Sequence, residues 1–319
     1  MSPGIVNSII VPVYRNAENI APLLARLTEL SKSLESPSEV VFVVDGSPDD
    51  SFDILSQELR TFSLPAQLIQ HSRNFGSFAA IRTGMTHALG DNVAVMAADL
   101  QEPPELVLQF FRILESGTAD VVVGRREGRD DPTLTKASSS MFWRIYRRFI
   151  FPDMPEGGVD IFACSRAARD EILALVESHS SLIGLLYWIG FRRVEVPYQR
   201  QERQHGVSGW SFKKKVRYLL DSIFSFTDIP LTLLVAVGSI GGIVTIVVGL
   251  SVFIAWLLGA VREPGYTPLM LVLLFSTFSL LAALGIVGTY VWRAYENTKR
   301  RPGAIVMSRW NSGQDASSG

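Results

Sequence analysis

The sequence predicts an α/β domain with a mostly parallel sheet, followed by two helices that are long and apolar enough to cross a membrane. Short apolar runs alternate with amphipathic stretches through the first two thirds of the 319 residues. Two uncharged segments near the C-terminus each exceed the roughly 20 residues that a membrane helix needs. Hydrophobic residues make up 47% of the chain and the mean hydropathy is +0.23, a high value for a soluble enzyme.

Strands and helices alternate along the α/β part. The apolar runs that predict strands cover residues 6–13, 40–44, 66–71, 93–97 and 119–123. The stretches with helical spacing cover residues 17–33, 52–61, 78–89 and 105–115. The turn sequence Asp45-Gly46-Ser47-Pro48 ends the second strand, and Gly90 is expected to end the third helix. This alternation predicts a parallel sheet with helices on both faces.

The two uncharged segments are residues 231–261 and 264–292. Buried core helices are the alternative interpretation, but core helices rarely run this long without a charge. Basic residues flank the pair on its outer sides, at Lys213, Lys214, Lys215 and Arg217 before it and at Arg293, Lys299, Arg300 and Arg301 after it. By the positive-inside rule, both flanks are expected in the cytoplasm.

The predicted organisation has five parts. They are an α/β domain over 1–208, an amphipathic helix in the membrane interface over 209–229, membrane helices over 230–261 and 266–292, and a cytoplasmic tail over 293–319. An ordinary surface helix is the alternative for 209–229, and the end of the tail, residues 311–319, is expected to be disordered. No signal peptide precedes the first apolar run. We therefore expect a multi-pass protein of the cytoplasmic (inner) membrane with its α/β domain in the cytoplasm.

Composition excludes several classes of protein. A net charge of −1 disfavours a nucleic-acid partner. The single cysteine, Cys164, excludes an intramolecular disulfide and a multi-cysteine zinc site, and its apolar surroundings predict a packing role. The spans contain no ionisable residue, so a transport pathway through them lacks support.

Polar residues follow consecutive predicted strands, where the strands of a parallel sheet end at a common crevice. They are Pro12, Tyr14, Asp45, Ser47, Arg73, Asn74, Asp99, Gln101 and the run Gly124 to Arg126. Neither of the two common glycine-rich phosphate loops is present. Phosphates bound in this crevice would therefore be held by a divalent cation and arginines.

A series of short motifs resembles family 2 glycosyltransferases of the GT-A fold. The motifs include Val11-Pro12-Val13-Tyr14, Val43 to Asp49, Ser72 to Gly76, Ala98 to Glu105, Gly158-Val159-Asp160 and Arg200 to Trp210. The nearest group is the polyprenyl-phosphate glycosyltransferases, which include dolichol-phosphate mannose synthases and bactoprenol glucosyltransferases. The resemblance covers nearly the whole chain, and it implies that residues 1–208 form a GT-A catalytic domain.

The resemblance also implies a donor side. A nucleotide-sugar would be bound by Pro12, Tyr14, Asp45, Ser47, Arg73, Gly76, Ala98, Asp99 and Arg126. Asp99 and Gln101 would meet a Mg²⁺ or Mn²⁺ ion on the donor diphosphate. Asp45 is alternatively a turn cap, Asp99 a helix cap, and Arg126 a solvated arginine.

An acceptor side is implied as well. Asp160 matches an acceptor-side carboxylate that positions the attacking phosphate or acts as its base; a solvent-facing aspartate is the alternative. Because the second pKa of a phosphate monoester is about 6, we favour positioning. The lipid or donor phosphates would be held by Arg200, Arg203, Ser208 and Lys214. For the lysine, attraction to anionic lipid is the simpler interpretation.

The chain departs from the family pattern at several motif positions. Val44 and Ala97 stand where the family usually has aspartates, and Asn16, Ser77 and Gly209 also differ from it. Cation binding would therefore depend on Asp99 and Gln101.

The function that follows is an inverting transfer of a sugar from a nucleotide-sugar to polyprenyl (undecaprenyl) phosphate at the cytoplasmic face of the bilayer. Two alternatives remain: a transferase with another lipid acceptor, and a non-catalytic nucleotide-sugar-binding relative. Because Gly238, Gly241 and Gly242 permit close helix approach, the chain could also form a homo-oligomer.

Overall fold

The computed structural model describes residues 4–127, 143–144, 146–148, 150–155, 158–177, 181–201, 212–258 and 265–312. The described strands form one sheet in the order β7-β5-β6-β4-β1-β2-β3-β8. They are β1 (Asn7–Val13), β2 (Ser38–Val44), β3 (Ala66–His71), β4 (Asn92–Val95), β5 (Val121–Arg126), β6 (Phe162–Ser165), β7 (Arg193–Tyr198) and β8 (Val306–Asn311).

Strands β4, β1, β2 and β3 pair in parallel, as do β5 and β7. Strand β6 is antiparallel to both β4 and β5, and β8 is antiparallel to β3. The helices of the α/β domain are α1 (Ile20–Ser31), α2 (Ser51–Glu58), α3 (Ser77–His87), α4 (Glu105–Glu115), α5 (Arg166–Ala174) and α6 (Leu182–Trp188). The mostly parallel α/β sheet that the sequence predicts is confirmed.

The central strands β1 and β2 are buried on both faces, which explains their nearly continuous apolar sequence. On one face their side chains join one large hydrophobic cluster, and on the other face they are divided between two smaller ones. Val11 and Phe42 belong to the larger cluster with α1 and α4. Ile10 packs into a second cluster with α3 and α6, and Val41 and Val43 pack into a third. Helices on both faces therefore hold the sheet rigidly and fix the positions of its strand ends.

The role expected for Gly90 is wrong. Helix α3 ends at His87, and Ala88 follows it in an extended conformation. Gly90 instead lies against β1, where a Cβ atom would come within 2.7 Å of the carbonyl carbon of Asn7. A glycine is needed for this close backbone approach. No local sequence pattern indicates that the two backbones meet here.

The C-terminal tail forms a strand of the sheet, although the sequence pattern predicts no strand there. Residues 306–311 form β8 beside β3, and the backbone N–H of Ser312 donates to the carbonyl oxygen of Ala66. The expectation of disorder is therefore wrong for Asn311 and Ser312, and residues 313–319 lie outside the described residues.

Three long helices follow the α/β domain: α7 (Phe212–Phe226), α8 (Ile229–Leu257) and α9 (Tyr266–Thr298). Within α8 and α9, the segments Ile229–Ser251 and Phe275–Thr298 are apolar and long enough to cross a membrane, and neither is covered by the rest of the described chain. At about 1.5 Å per residue, both helices exceed the thickness of the bilayer's hydrocarbon core. Their uncovered surfaces do not fit the alternative of buried core helices.

Helix α7 connects the α/β domain to the apolar helices. On one side, the Phe226 ring packs so closely on Gly184 of α6 that a Cβ there would lie 2.4 Å from it. On the other side, Arg293 of α9 donates to the Asp221 carboxylate at 2.7 Å and to Ser225 Oγ at 3.0 Å. The interfacial location of α7 stays a prediction.

Candidate active site

The loops that follow β1, β2 and β3 lie side by side at the carboxyl ends of these parallel strands. They border the region, which we call the crevice, where the sequence places the donor side. Asp45, at the end of β2, is buried, and three hydrogen bonds reach its carboxylate. His71 Nδ1 lies 2.8 Å from Oδ1, and the backbone N–H groups of Phe75 and Gly76 donate at 2.9 and 2.7 Å. The second ring nitrogen of His71 lies 2.9 Å from Thr83 Oγ1. In this structure Asp45 therefore holds the loop 72–76, and its contact with the nucleotide stays a prediction.

His71 was missed as a member of this site. Histidine spacing along the chain gives no signal for it, because its partner Asp45 follows a different strand. Only the parallel pairing of β2 with β3 places these two strand ends next to each other.

Gly46 lets the loops after β2 and β3 touch at their backbones. Its φ is +56°, and a Cβ atom would lie 2.2 Å from the carbonyl carbon of Arg73 and 2.5 Å from the nitrogen of Asn74. These backbone atoms cannot move aside in the way that the end of a flexible side chain can. Only glycine therefore fits this position.

Replacing Gly46 by alanine is expected to lower the apparent melting temperature by about 5 °C or more, since backbone strain and a backbone clash add together. Gly117→Ala is the matched control: Gly117 has φ +69°, but nothing lies within 4 Å of its Cβ position. Thermal unfolding of both variants in detergent isolates the clash. Equal losses would contradict the close approach at Gly46.

The loop after β1 and the loop after β2 are joined by Ser47. Its Oγ accepts from the backbone N–H of Arg15 at 2.7 Å and donates to Asp49 at 2.6 Å. Partial burial acts to raise the pKa of Asp49. Hydrogen bonds from Ser47 and Ser51 outweigh this effect and hold the pKa below its ordinary value. Asp49 is thus an ionised acceptor that keeps this wall of the crevice in place.

Two further donor-side residues are exposed at the mouth of the crevice. Tyr14 lies there with the Arg15 guanidinium 5.5 Å from its ring centre. Arg73 lies over the Phe75 ring at 4.1 Å, and Gly76 is the N-cap residue of α3. Pro12 pairs with Val43 inside the sheet, below the mouth.

The second wall of the crevice follows β4. Leu100 has φ +54°, a left-handed conformation that is unusual for leucine, between Asp99 and Gln101. The Gln101 N–H donates to Asp99 Oδ1 at 3.4 Å, and Gln101 Oε1 accepts from Arg200 Nη2 at 2.5 Å. Ala98, also assigned to the donor side, is buried beneath this turn.

Glu102 is a member of this wall that the sequence analysis did not single out, although it stands within the motif Ala98 to Glu105. It is only 2% exposed, and its Oε2 atom has no hydrogen-bond partner among the described residues. Its Oε1 lies 3.9 Å from Arg200 Nε. Burial, together with the charges of Asp160 and Asp99, raises the pKa of Glu102 to about 7.

Glu102→Gln is expected to raise the melting temperature at pH 8 by about 2 °C or more, because it removes a poorly paired buried charge. The pKa of Glu102 is higher in the folded than in the unfolded chain, so the folded state binds more protons between pH 4.5 and about 7. The contribution of Glu102 to the free energy of unfolding therefore falls as pH rises through that window.

The higher melting temperature of Glu102→Gln relative to the wild type should therefore disappear near pH 4.5. Melting curves of both proteins without added divalent cation, from pH 4.5 to 8, provide the measurement. A gain that is independent of pH would contradict a raised pKa at Glu102.

Asp160 lies at the junction of β5, β7 and the segment before β6. Its Oδ2 atom accepts from Arg126 Nη2 at 2.6 Å and from the Tyr198 hydroxyl at 3.2 Å, and Arg200 Nη1 is 3.9 Å away. The carboxylate side chain is 33% exposed. It is therefore held in position from one side and open on another, as expected of a group that receives a substrate.

Tyr198 is a second residue that sequence reasoning missed. Burial and the charge of Asp160 raise the pKa of the Tyr198 hydroxyl, which therefore remains a proton donor to that carboxylate at neutral pH. An aromatic residue at the end of a strand is too common to be a signal. Only the parallel pairing of β5 with β7 brings it beside Arg126.

The structure brings Asp99, Gln101, Arg126, Asp160 and Arg200 into one connected group through these contacts. Arg203 and Ser208 lie outside the described residues. Lys214 is in the first turn of α7, and its side chain is outside the described part.

The oxygen atoms of this group fit a divalent cation bound together with a substrate. Asp99 and Gln101 supply a carboxylate and an amide oxygen, and the unpartnered Oε2 of Glu102 is a buried oxygen in the same wall. Among the described residues, no group of three or more His, Cys, Asp or Glu could hold an ion by itself. Mg²⁺ is commonly bound by one or two carboxylates, substrate phosphates and water, which is the arrangement that these residues allow.

Comparison with known proteins gives consistent matches. Residues 8–175 match the family model described as glycosyl transferase family 2. The chain is 33% identical to the uncharacterized glycosyltransferase YkcC of Bacillus subtilis (strain 168), over 97% of this chain and 96% of that protein. It is 30% identical to the undecaprenyl-phosphate 4-deoxy-4-formamido-L-arabinose transferase of Proteus mirabilis (94% and 92%), and 28% identical to the bactoprenol glucosyl transferase of Shigella phage SfX (95% and 99%).

Proposed function

The chain belongs to glycosyl transferase family 2, and we propose that within this family it transfers a sugar from a nucleotide-sugar to a polyprenyl phosphate, with inversion at the anomeric carbon. The observation that carries the proposal is the group formed by Asp160 with Arg126, Tyr198 and Arg200 beside the Asp99 wall. Relatives that match over nearly the whole chain are named for undecaprenyl phosphate and bactoprenol, which supports this choice of acceptor.

On the donor side, the loops held by Asp45 and Ser47 would receive the nucleoside, and Arg73 would face the phosphates at the mouth. Asp99 and Gln101 would hold Mg²⁺ or Mn²⁺, which would neutralise charge on the departing nucleoside diphosphate. Gln101 Oε1 now accepts a hydrogen bond from Arg200, and binding of the cation to that oxygen would compete with this bond. The freed guanidinium could then bind a phosphate in bidentate fashion.

On the acceptor side, Asp160 would orient the lipid phosphate for in-line attack on the anomeric carbon. It would do so by holding the guanidinium groups of Arg126 and Arg200, which would bind the anionic phosphate oxygens. A phosphate monoester is mostly dianionic above its second pKa of about 6, so its oxygen attacks without losing a proton. Arg126 and Tyr198 fix the Asp160 carboxylate, which limits its motion and supports a positioning role. Arg203, Ser208 and Lys214 are proposed as further contacts to phosphate.

The same proposal places the chain in the cytoplasmic membrane as a multi-pass protein. Strand β8 follows the apolar helices, yet it pairs with β3, which precedes them. The two ends of the helix pair therefore belong to one folded domain, which would lie on one side of the bilayer. An even number of crossings satisfies this constraint, and α8 and α9 would supply two, with the basic flanks in the cytoplasm.

The test is a transfer assay with the detergent-purified full chain. Undecaprenyl phosphate, Mg²⁺ or Mn²⁺, and a panel of UDP-, GDP- and dTDP-sugars are combined, and lipid-linked sugar is sought by mass spectrometry. A product with one donor that is lost in EDTA supports the proposal. Turnover with a different lipid would indicate another acceptor, and nucleotide binding without any transfer would indicate the non-catalytic alternative.

A further inference from the structure

Strand β8 accompanies β3 along its whole length. The two strands pair from Gln67 with Asn311 to His71 with Val306, and the register shifts between Gln70 and His71. Just beyond the paired region, the backbone N–H of Ser72 donates to the carbonyl oxygen of Ile305 at 3.0 Å. The tail therefore holds β3 up to the residue at which the loop 72–76 begins.

Side chains fix β8 in addition to the backbone ladder. Arg309 Nη2 donates to Gln67 Oε1 at 2.8 Å, and Ser308 Oγ donates to Gln70 Oε1 at 3.0 Å. The buried Gln67 in turn donates to Glu39 at 2.9 Å. Trp310 packs against the larger hydrophobic cluster. The strand is thus tied into the interior of the domain, beyond simple pairing along an exposed edge.

The end of β3 leads directly to the donor loop. His71 is buried and contacts Asp45, and the same carboxylate accepts the backbone N–H groups of Phe75 and Gly76. A displacement of His71 would alter the contact that orients Asp45. The chain from β8 through β3 and His71 to Asp45 is therefore a continuous series of hydrogen-bonded groups.

We propose that the tail strand β8 is a positioning element of the donor site, which keeps the loop 72–76 in the conformation that receives a nucleoside diphosphate. The inference rests on the proposed function for the identity of the ligand, whereas the coupling between β8 and the loop stands on the contacts alone. Without β8, strand β3 would become the edge of the sheet, and its unpaired end would carry the loop. Donor binding would then require the loop to be ordered first, which weakens the apparent affinity.

The experiment uses the full chain in detergent with three variants. Trp310→Ala removes the anchor of β8 from the core, and Trp310→Phe keeps most of the packing. Met307→Ala is the matched control, because Met307 is on the same strand and 60% exposed. Hydrogen exchange is measured over 306–312 to show whether the strand is released, and over 72–78 to show the state of the loop. Binding of UDP, GDP and dTDP, each with Mg²⁺, is measured by calorimetry.

The expected result is faster exchange over both segments in Trp310→Ala, with nucleotide affinity about tenfold weaker, within the usual range for coupled sites. Met307→Ala should match the wild type and Trp310→Phe should lie near it. Released β8 with unchanged exchange over 72–78 would overturn the proposal. If wild-type protein binds none of the three nucleotides, the proposed function is contradicted, and exchange over 72–78 still decides the coupling.

A fourth variant covers the case in which Trp310→Ala misfolds or leaves β8 paired. Ser308→Pro removes a backbone N–H from the strand without emptying the core. The same two exchange segments are compared, and a released strand beside an unchanged loop again overturns the proposal.

Discussion

Asp160→Asn is expected to lower kcat/KM for sugar transfer by about 100-fold or more. The substitution keeps an oxygen that can accept from Arg126 and Tyr198, which now lie 2.6 and 3.2 Å away, but it removes the charge. The affinity for nucleotide should remain near that of the wild type, because Asp160 is placed on the acceptor side. The measurement is steady-state transfer with separate titrations of donor and lipid phosphate.

The pH profile separates the two roles open to Asp160. If it positions the phosphate, the acidic limb of the variant's activity should still follow the ionisation of the lipid phosphate near pH 6. If Asp160 is the base, the limb should shift or disappear. Asp53→Asn is the matched control, since Asp53 is exposed on α2. Near-normal transfer by Asp160→Asn would refute any direct role for this carboxylate.

Asp99→Ala is expected to reduce transfer by about 100-fold to 1,000-fold, as expected when a group that stabilises charge in the transition state is lost. Mn²⁺ binding in the presence of nucleotide should weaken as well. That binding can be followed by electron paramagnetic resonance of the free ion, independently of turnover. Asp53→Ala is the control for loss of an exposed carboxylate.

The helix-cap alternative for Asp99 is wrong, because the N-cap residue of α4 is Pro104 and no described side chain caps that helix. The Asp99 Oδ1 atom instead accepts from the backbone N–H of Gln101 within the turn, a contact that an asparagine side chain can also make. If Asp99 serves only to hold this turn, Asp99→Asn should have nearly wild-type activity and melting temperature. If Asp99 holds the cation, Asp99→Asn should restore the melting temperature alone.

The sequence predicts much of the α/β domain because its signals are local. Five of the strands and four of the helices follow from apolar periodicity, although their bounds shift by a few residues, as when β4 ends at Val95. The strand ends that carry Asp45 and Asp99 follow from the same pattern, since parallel strands end at one edge. The two apolar helices are predicted by the length of the segments 231–261 and 264–292 and by the absence of charged residues from them.

Other parts of the site have no local signal. Tyr198 lies 38 residues from Asp160 along the chain, and His71 lies 26 residues from Asp45. Glu102 stands in a recognised motif, but nothing along the chain shows that it is buried without a partner for one oxygen. These contacts arise only when β2 pairs with β3 and β5 with β7.

The sequence by itself determined the order of strands and helices, the apolar helices and the motifs that place the chain in its family, because periodicity, segment length and residue spacing are properties of neighbouring residues. Tertiary structure alone decided that β8 completes the sheet beside β3, since Arg309 and Gln67 are 242 residues apart. It also decided that the Asp45 carboxylate accepts hydrogen bonds from the loop 72–76 and that the side chain of Gln101 accepts one from Arg200. Such contacts depend on which strand ends meet in space, a property of the packed sheet that no short segment of the chain contains.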